Sequence, residues 1–462
     1  MPVQVTISPI DGSVYVEREL ANAELVESTL AMAVDSQKAW IGVGLDERIA
    51  LLQKMVDIFV SKKDEIAREI TMQMGRPISQ SGGEIDGFKQ RAERMLELAP
   101  KALADIEVPK QDGFIRFIGR EPLGTVLVLS PWNYPYLTAV NSVVPALAAG
   151  NTVVIKHSDQ TPLCAERMVE AALEAGIPPG VFQYLHIDHD QVGDVVRDSR
   201  INHVSFTGSV AGGRAVHGAS AGRFIAVGLE LGGKDPAYVR SDSDPVYAAE
   251  NIVDGAFFNS GQSCCGIERV YVHESLYDRF VEAVVETVNK YKLGHPLDPE
   301  TNLGPMAKAS AVERLTAQIE RSVSAGAKRL IDTKKFNVSS LGPAYMAPQV
   351  LQFVTHDMEI MAEESFGPVV GIMKVSSDED AVKLMNDSKY GLTASIWTKD
   401  KGAAISIGRE LQTGTVYMNR CDYLDPDLPW VGVKDTGRGC TLSSLGYEHL
   451  TRPKSFHLRL NT

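Results

Sequence analysis

The sequence predicts an α/β protein built from two units, each a parallel sheet covered by helices. From Gly124 onward, short β-rich apolar runs alternate with segments of helical period, and the alternation resumes in the second half around a Pro/Gly-rich linker at 293–305. At 462 residues the chain is too long for one ordinary core. Its 44% hydrophobic and 23% charged residues leave ample apolar surface to bury, so disorder is not expected.

Taken in order, the first hundred residues read as helical. Ile49, Leu52, Met55, Val56 and Phe59 recur on one face, and Gly75 followed by Pro77 marks a stop. Residues 125–129 form a strand, and 137–149 a helix ended by Gly150. Residues 152–155 form the next strand. Thr161 and Pro162 then read as N-cap and first turn of a helix reaching Ala175. Strands follow at 181–185, 203–206 and 224–229. Such repetition implies a parallel sheet whose ligands sit beyond the carboxyl ends of the strands. In the second half, strands are expected at 269–273, 369–374, 392–397 and 415–418, with helices at 276–291, 309–325 and 378–386. Two alternating segments stand apart, 107–119 and 455–460; they suit pairing with each other or with another subunit.

The net charge of −13 argues against nucleic acid or an anionic membrane as partner, without excluding a local phosphate site. Residues 1–11 lack a basic stretch followed by an apolar run, and 142–155 is too short to span a bilayer, so a cytoplasmic location is expected. The five cysteines, Cys164, Cys264, Cys265, Cys421 and Cys440, are too sparse for a disulfide framework, and their spacing matches no zinc site; no metal is expected. The sequons at Asn337 and Asn386 read as chance surface matches.

Three short motifs carry candidate chemistry. Asn259-Ser260-Gly261-Gln262-Ser263-Cys264-Cys265 sets a thiol among small polar residues. A cysteine attacks only as thiolate, and alone Cys264 reads more readily as inert. In Leu229-Glu230-Leu231-Gly232-Gly233-Lys234 a carboxylate ends an apolar strand and meets two glycines, a place for a general base or for a solvated strand end. In Ser130-Pro131-Trp132-Asn133-Tyr134-Pro135, prolines fix the backbone around an amide that can donate to an oxyanion; the plainer reading is a turn between strand and helix.

Together the three resemble the aldehyde dehydrogenase superfamily over nearly the whole chain. Supporting motifs stand in the family's order: Gly150-Asn151-Thr152-Val153-Val154-Ile155-Lys156, Phe206-Thr207-Gly208-Ser209, Glu363-Glu364-Ser365-Phe366-Gly367-Pro368 and Tyr390-Gly391-Leu392-Thr393. The 34-residue interval from Glu230 to Cys264 also fits. The resemblance implies a Rossmann-like cofactor domain (1–106 and 119–230, with 437–451 packing back on it), an α/β catalytic domain (231–436), and a small β oligomerisation arm (107–118 and 452–462) of a homodimer or homotetramer. It makes Cys264 the nucleophile toward an aldehyde, and Asn133 with the Cys264 N–H the oxyanion donors. Hydride transfer to a nicotinamide leaves a thioester, and Glu230 activates the water that hydrolyses it.

Cofactor positions implied by the same resemblance are Ser130, Trp132, Lys156, Ser158, Asp159, Gly208, Ser209, Gly213, Leu231, Glu364 and Phe366. The usual GxGxxG fingerprint is replaced by Gly208 and Gly213, five residues apart. The family often has Lys-Pro-Ser/Ala-Glu where this chain has Lys156-His157-Ser158-Asp159; a carboxylate there repels a 2′-phosphate, so NAD is the expected cofactor and NADP the alternative. Pocket positions are Tyr134, Leu137, Asn141, Ser263, Cys265, Asp422, Leu424 and Trp430, where Trp430 replaces a smaller tunnel residue. That mixture suits an aromatic aldehyde or a semialdehyde. Arg420, beside Asn419 at a strand end, reads as a structural ion-pair residue, with capture of a substrate carboxylate as the alternative.

Three rivals are weaker. Gly218-Ala219-Ser220-Ala221-Gly222 matches a hydrolase nucleophile elbow but follows a helical run instead of a strand. Coenzyme-A-acylating relatives lack the glutamate that Glu230 supplies. A catalytically idle binding protein on the same fold would not need Cys264, Glu230 and Asn133 together.

Overall fold

The computed structural model describes residues 2–460; Met1 and residues 461–462, which the expected first unit and terminal strand include, lie outside the described residues. Two sheets dominate. The first runs Gly437–Arg438, Ala226–Glu230, Ile201–Thr207, Thr125–Ser130, Thr152–His157 and Phe182–Tyr184, all parallel except the two-residue edge strand. Strand order reverses between Thr125–Ser130 and Ile201–Thr207, which opens a crevice at the carboxyl ends of these two strands. The second runs Lys328–Arg329, Gln349–Gln352, Val369–Val375, Ile267–His273, Asp235–Val239, Thr393–Trp397 and Thr415–Met418, again parallel except for its first, short strand.

Helices bury both faces of each sheet. Val126 and Val128 join the core made with helices Leu45–Ser61, Ile78–Ala102 and Pro135–Ala148, while Leu127 and Leu129 face the opposite core with Val192, Val195 and Val216. Two-sided burial is why these strands read as continuous apolar runs. In the second sheet, Val270 and Val272 face helices Pro245–Phe257 and Tyr277–Val288, and Tyr271 faces Leu315 and Ile319 of Ala309–Ser324.

The α/β expectation and its main strands hold. The N-terminus departs from it: Val3–Ile7 and Val14–Glu19 pair as a hairpin where helix was expected. Its edge braces a distant loop, since Thr6 Oγ1 (2.7 Å) and Gln4 Nε2 (3.3 Å) donate to the Asp159 carbonyl. The strand expected from Phe224 begins at Ala226, and Phe224 is fully exposed. Thr161 stands at the N-cap of Pro162–Ala175 but its hydroxyl makes no capping bond; Gln73 Oε1 instead accepts from Leu163 N at 3.2 Å. Asp235–Val239 was hidden by Asp235 and Pro236 at its start, which read as a turn after two glycines.

The two segments that stood apart pair with each other within the chain: Thr451–Arg459 lies antiparallel to Phe114–Pro122, with Ile106–Glu107 beyond. Glu230 ends a strand of the first sheet, and Asp235–Val239 of the second begins after Leu231–Lys234, so the base candidate sits where the chain crosses between sheets. No described helix is long and apolar enough to cross a membrane.

Asn151 joins three segments of the first unit. Its Oδ1 accepts from Leu123 N (2.7 Å) and Gly124 N (3.0 Å), and its Nδ2 donates to the carbonyls of Ala146 (3.1 Å) and Leu450 (2.9 Å). Asn151→Ala should lower unfolding stability by about 2–4 kcal/mol, because buried backbone groups lose their partners. An unchanged thermal midpoint would contradict this reading.

Candidate active site

A buried ion pair organises the site. Arg76 and Glu84, 1% exposed each, pair at the start of helix Ile78–Ala102. Glu84 Oε1 accepts from the N–H groups of Tyr136 and Leu137 (2.9 Å each), capping helix Pro135–Ala148 from outside. Arg76 donates to the Asn133 carbonyl, and through Nε to Asn259 Oδ1 at 3.1 Å. Asn259 Nδ2 returns to the carbonyls of Asn133 (3.2 Å) and Gln262 (3.3 Å). The turn carrying Asn133 and the loop carrying Cys264 are thereby tied to one guanidinium.

That loop leaves helix Pro245–Phe257 through three successive left-handed residues, Asn259 (φ 52°), Ser260 (φ 56°) and Gly261 (φ 70°). A Cβ at Gly261 would collide with the Gly367 backbone, so only glycine fits. Gln262 anchors the loop by accepting from Ala307 N at 2.8 Å. Asn133 Nδ2 donates one hydrogen to the Gln262 carbonyl at 3.1 Å, and the Cys264 N–H donates to no protein acceptor among the described residues. Asn133 is 5% exposed and does not line the cavity onto which Cys264 opens.

A cavity of about 850 Å³ contains Cys264, Glu230 and all eight expected pocket residues. The Glu230 carboxyl accepts from Thr441 Oγ1 (2.5 Å) and Thr207 Oγ1 (3.3 Å). Burial pushes its pKa above the usual carboxylate range despite both hydroxyls. Thr441 also pairs with Trp430 through N···O contacts of 2.8 and 3.0 Å, so one bridge positions both the Glu230 carboxyl and a cavity wall. Gly233 lets the chain after Glu230 cross the Cys264 carbonyl, where a Cβ would collide.

The neighbouring thiol is held differently. Asp422 Oδ1 accepts from Cys265 Sγ (2.9 Å) and Ser263 Oγ (3.1 Å). The hydrogen bond with Cys264, then burial and the Asp422 charge, push the Cys265 thiol well above its ordinary range. Burial raises Asp422 as well.

A second cavity of about 530 Å³ sits in the crevice where strand order reverses. Ser130, Trp132, Lys156, Ser158, Asp159, Gly208 and Ser209 line it, and Thr207 opens onto both this cavity and the catalytic one. Ser209 caps helix Val210–Ser220 through Gly212 N at 3.1 Å, and the helix N-terminus faces the cavity. A Cβ at Gly208 or Gly212 would press on the Phe206 ring. Phe366 lines a smaller adjoining cavity with Trp132, Gln262, Lys308 and Arg314, its ring edge-on to Trp132 at 5.6 Å.

Three expected cofactor positions, Gly213, Leu231 and Glu364, line none of these three cavities. A Cβ at Gly213 would strike Leu231, so this pair packs the helix onto the strand while Gly212 takes the open position. The Glu364 carboxylate accepts from Gly233 N at 3.0 Å, and burial with Glu268 nearby pushes it up to about 7. Arg420 makes no ion pair among the described residues: its guanidinium lies 3.4 Å from the Tyr423 ring centre, on the catalytic cavity. Arg76, Glu84 and Thr441 went unnoticed in the sequence, and Asn259 and Thr207 stood in quoted motifs without a role, because no local pattern announces partners far apart in the chain. Glu268 went unnoticed too; it accepts from Lys234 (2.6 Å) and from the N–H groups of Ser365 (2.7 Å) and Phe366 (2.8 Å).

The sequence model of the aldehyde dehydrogenase family matches residues 3–456. The NAD(P)+ succinate semialdehyde dehydrogenase Sad of Escherichia coli (strain K12) is 34% identical over 450 residues, 96% of this chain and 95% of that protein. An NAD-dependent aldehyde dehydrogenase from Sinorhizobium meliloti superposes with a TM-score of 0.95 at 32% identity, covering 100% of this chain and 92% of that one. A succinic semialdehyde dehydrogenase from Streptococcus pyogenes, in complex with NADP+, gives 0.93 at 29% identity, covering 99% and 100%. The chain belongs to the aldehyde dehydrogenase family and is an NAD(P)-dependent oxidoreductase acting on an aldehyde.

Proposed function

We propose that the protein oxidises its aldehyde hydrolytically, with Cys264 as nucleophile, Asn133 and the Cys264 N–H as oxyanion donors, and Glu230 as the base for the attacking water. The observation that carries this is that Cys264 and Glu230 open into one cavity, Glu230 fixed by Thr207 and Thr441. Cys264 adds to the carbonyl carbon; its own N–H meets the oxygen that gains charge, and the second Nδ2 hydrogen of Asn133, held beside the loop through Gln262, is the other donor. The nicotinamide, when bound, supplies the hydride acceptor. Glu230 then takes a proton from water as the water attacks the Cys264 thioester, releasing the acid and the thiolate. Held against Asp422, Cys265 serves as wall.

The crevice cavity fits an adenine dinucleotide: glycines open it, a helix N-terminus suits a pyrophosphate, and Lys156 and Asp159 stand at its rim. Asp159 does not act alone. Lys308 Nζ lies 3.6 Å from its Oδ2, and Lys156 is close by, so the ribose end is not net negative. This supports use of both NAD+ and NADP+. The strand Thr451–Arg459, with Ile115 and Leu458 half exposed beside it, supports a homodimer or homotetramer, and we place the enzyme in the cytoplasm.

Cys264→Ser should bind NAD+ normally, measured by calorimetry, and oxidise no aldehyde; turnover would contradict the assignment. Glu230→Gln should release one equivalent of NAD(P)H per site in a burst, then turn over about 10²–10⁴-fold more slowly than wild type; an unchanged steady state would remove Glu230 from the mechanism. In wild type, kcat should fall as pH drops through a value above the ordinary glutamate pKa, because protonated Glu230 accepts no proton from water. A limb at or below that ordinary value would contradict this. Lys308→Met should lower kcat/KM for NADP+ a few-fold relative to NAD+, the modest size expected of an exposed ion pair; an unchanged ratio would exclude its part in cofactor choice.

A further inference from the structure

The catalytic cavity has a buried cation that hydrolysis leaves unused. Arg76 is matched by Glu84, but Arg91, on the same helix and 8% exposed, has no carboxylate within salt-bridge distance among the described residues. It bonds only through Nη1, to the Leu137 carbonyl (2.6 Å) and Asn141 Oδ1 (3.4 Å), both neutral acceptors. Its Nε and Nη2 donate to no protein group. A guanidinium does not escape burial by losing its proton under ordinary conditions, so an unmatched one asks for an anion.

Two further donors on this cavity are unsatisfied. Asn141, 2% exposed, spends its Oδ1 on Arg91 and leaves Nδ2 without a partner; the Tyr134 hydroxyl is buried and unpartnered as well. Leu137 and Asn141 lie one helical turn apart on the same face, and Arg91 bonds to both, which fixes the three relative to each other. Leu137 and Trp430 supply apolar wall on the same cavity. The acids that line it are committed or exposed: Glu84 to Arg76, Glu230 to Thr207 and Thr441, Asp86 to Lys63, Asp422 to Ser263 and Cys265, and Asp254 at the surface.

We propose that Arg91, Asn141 and Tyr134 form a subsite for a carboxylate at the far end of the aldehyde, making the substrate a semialdehyde. This rests on the assignment of Cys264 and Glu230 as the reacting groups. The free Nε and Nη2 edge of Arg91 offers two parallel donors to the two oxygens of a carboxylate. The planar fork of Arg91 suits carboxylate recognition, and an uncharged alkanal would leave all three donors buried without partners.

The test compares succinate semialdehyde with butanal, glyceraldehyde 3-phosphate and benzaldehyde. Wild type should prefer succinate semialdehyde over butanal by about 100-fold or more in kcat/KM. Arg91→Met and Asn141→Leu should each cut that preference by about tenfold or more, chiefly through KM. Equal use of butanal or benzaldehyde, or preference for the phosphate, would overturn the proposal. So would an Arg91→Met effect equal for charged and neutral aldehydes, which would mean that Arg91 acts through space on Cys264 or Glu230. Succinate binding to Cys264→Ser, followed by calorimetry, separates the two levels: binding lost on adding Arg91→Met supports the subsite even if no aldehyde is oxidised, and binding unaffected by Arg91→Met overturns it.

Discussion

The Arg76–Glu84 pair is the interaction on which the catalytic geometry depends. Burying two charges is costly, and such a pair contributes little net stability. Removing one partner, however, typically costs about 3–5 kcal/mol, because the other charge is stranded. What the pair supplies is position. Glu84 caps the helix Pro135–Ala148, and Arg76 holds the Asn133 carbonyl and the Asn259 side chain. Three segments distant in sequence are thus locked together before any substrate arrives, as preorganised oxyanion stabilisation requires.

Environment sets two adjacent cysteines apart. Cys265 is buried and held by Asp422, with its thiol pushed up. Cys264, one residue earlier, opens into the cavity with a free N–H. The same sorting acts on carboxyls: Glu230 is desolvated yet held by two hydroxyls, which suits a group that must accept a proton and release it. At the cofactor end, Lys308 offsets Asp159 and softens the discrimination that an isolated carboxylate would impose.

The parallel strands were legible because two-sided burial writes them as apolar runs; Cys264 and Glu230, ambiguous as single motifs and given roles only by the family resemblance, are brought onto one cavity. What stayed hidden was long-range. Thr441 reaches Glu230 across 211 positions, and Gln73 rather than Thr161 supplies the acceptor at the start of its helix. Gly213 was legible as a small residue but not in its role, which depends on Leu231 from a separate strand. Arg420 shows the limit for charges: its neighbour in sequence suggested an ion pair, whereas its neighbour in space is the Tyr423 ring. Arg91 carried no signal, since an unmatched arginine is visible only once the cavity around it is known.

The central claim is that the backbone network makes Cys264, and not Cys265, the covalent centre. Acid-quenching the wild-type enzyme during turnover, followed by peptide mass mapping, tests it most directly. The account predicts one acyl group per chain, on Cys264. An acyl group on Cys265, or none on either thiol while NAD(P)H forms, would contradict it.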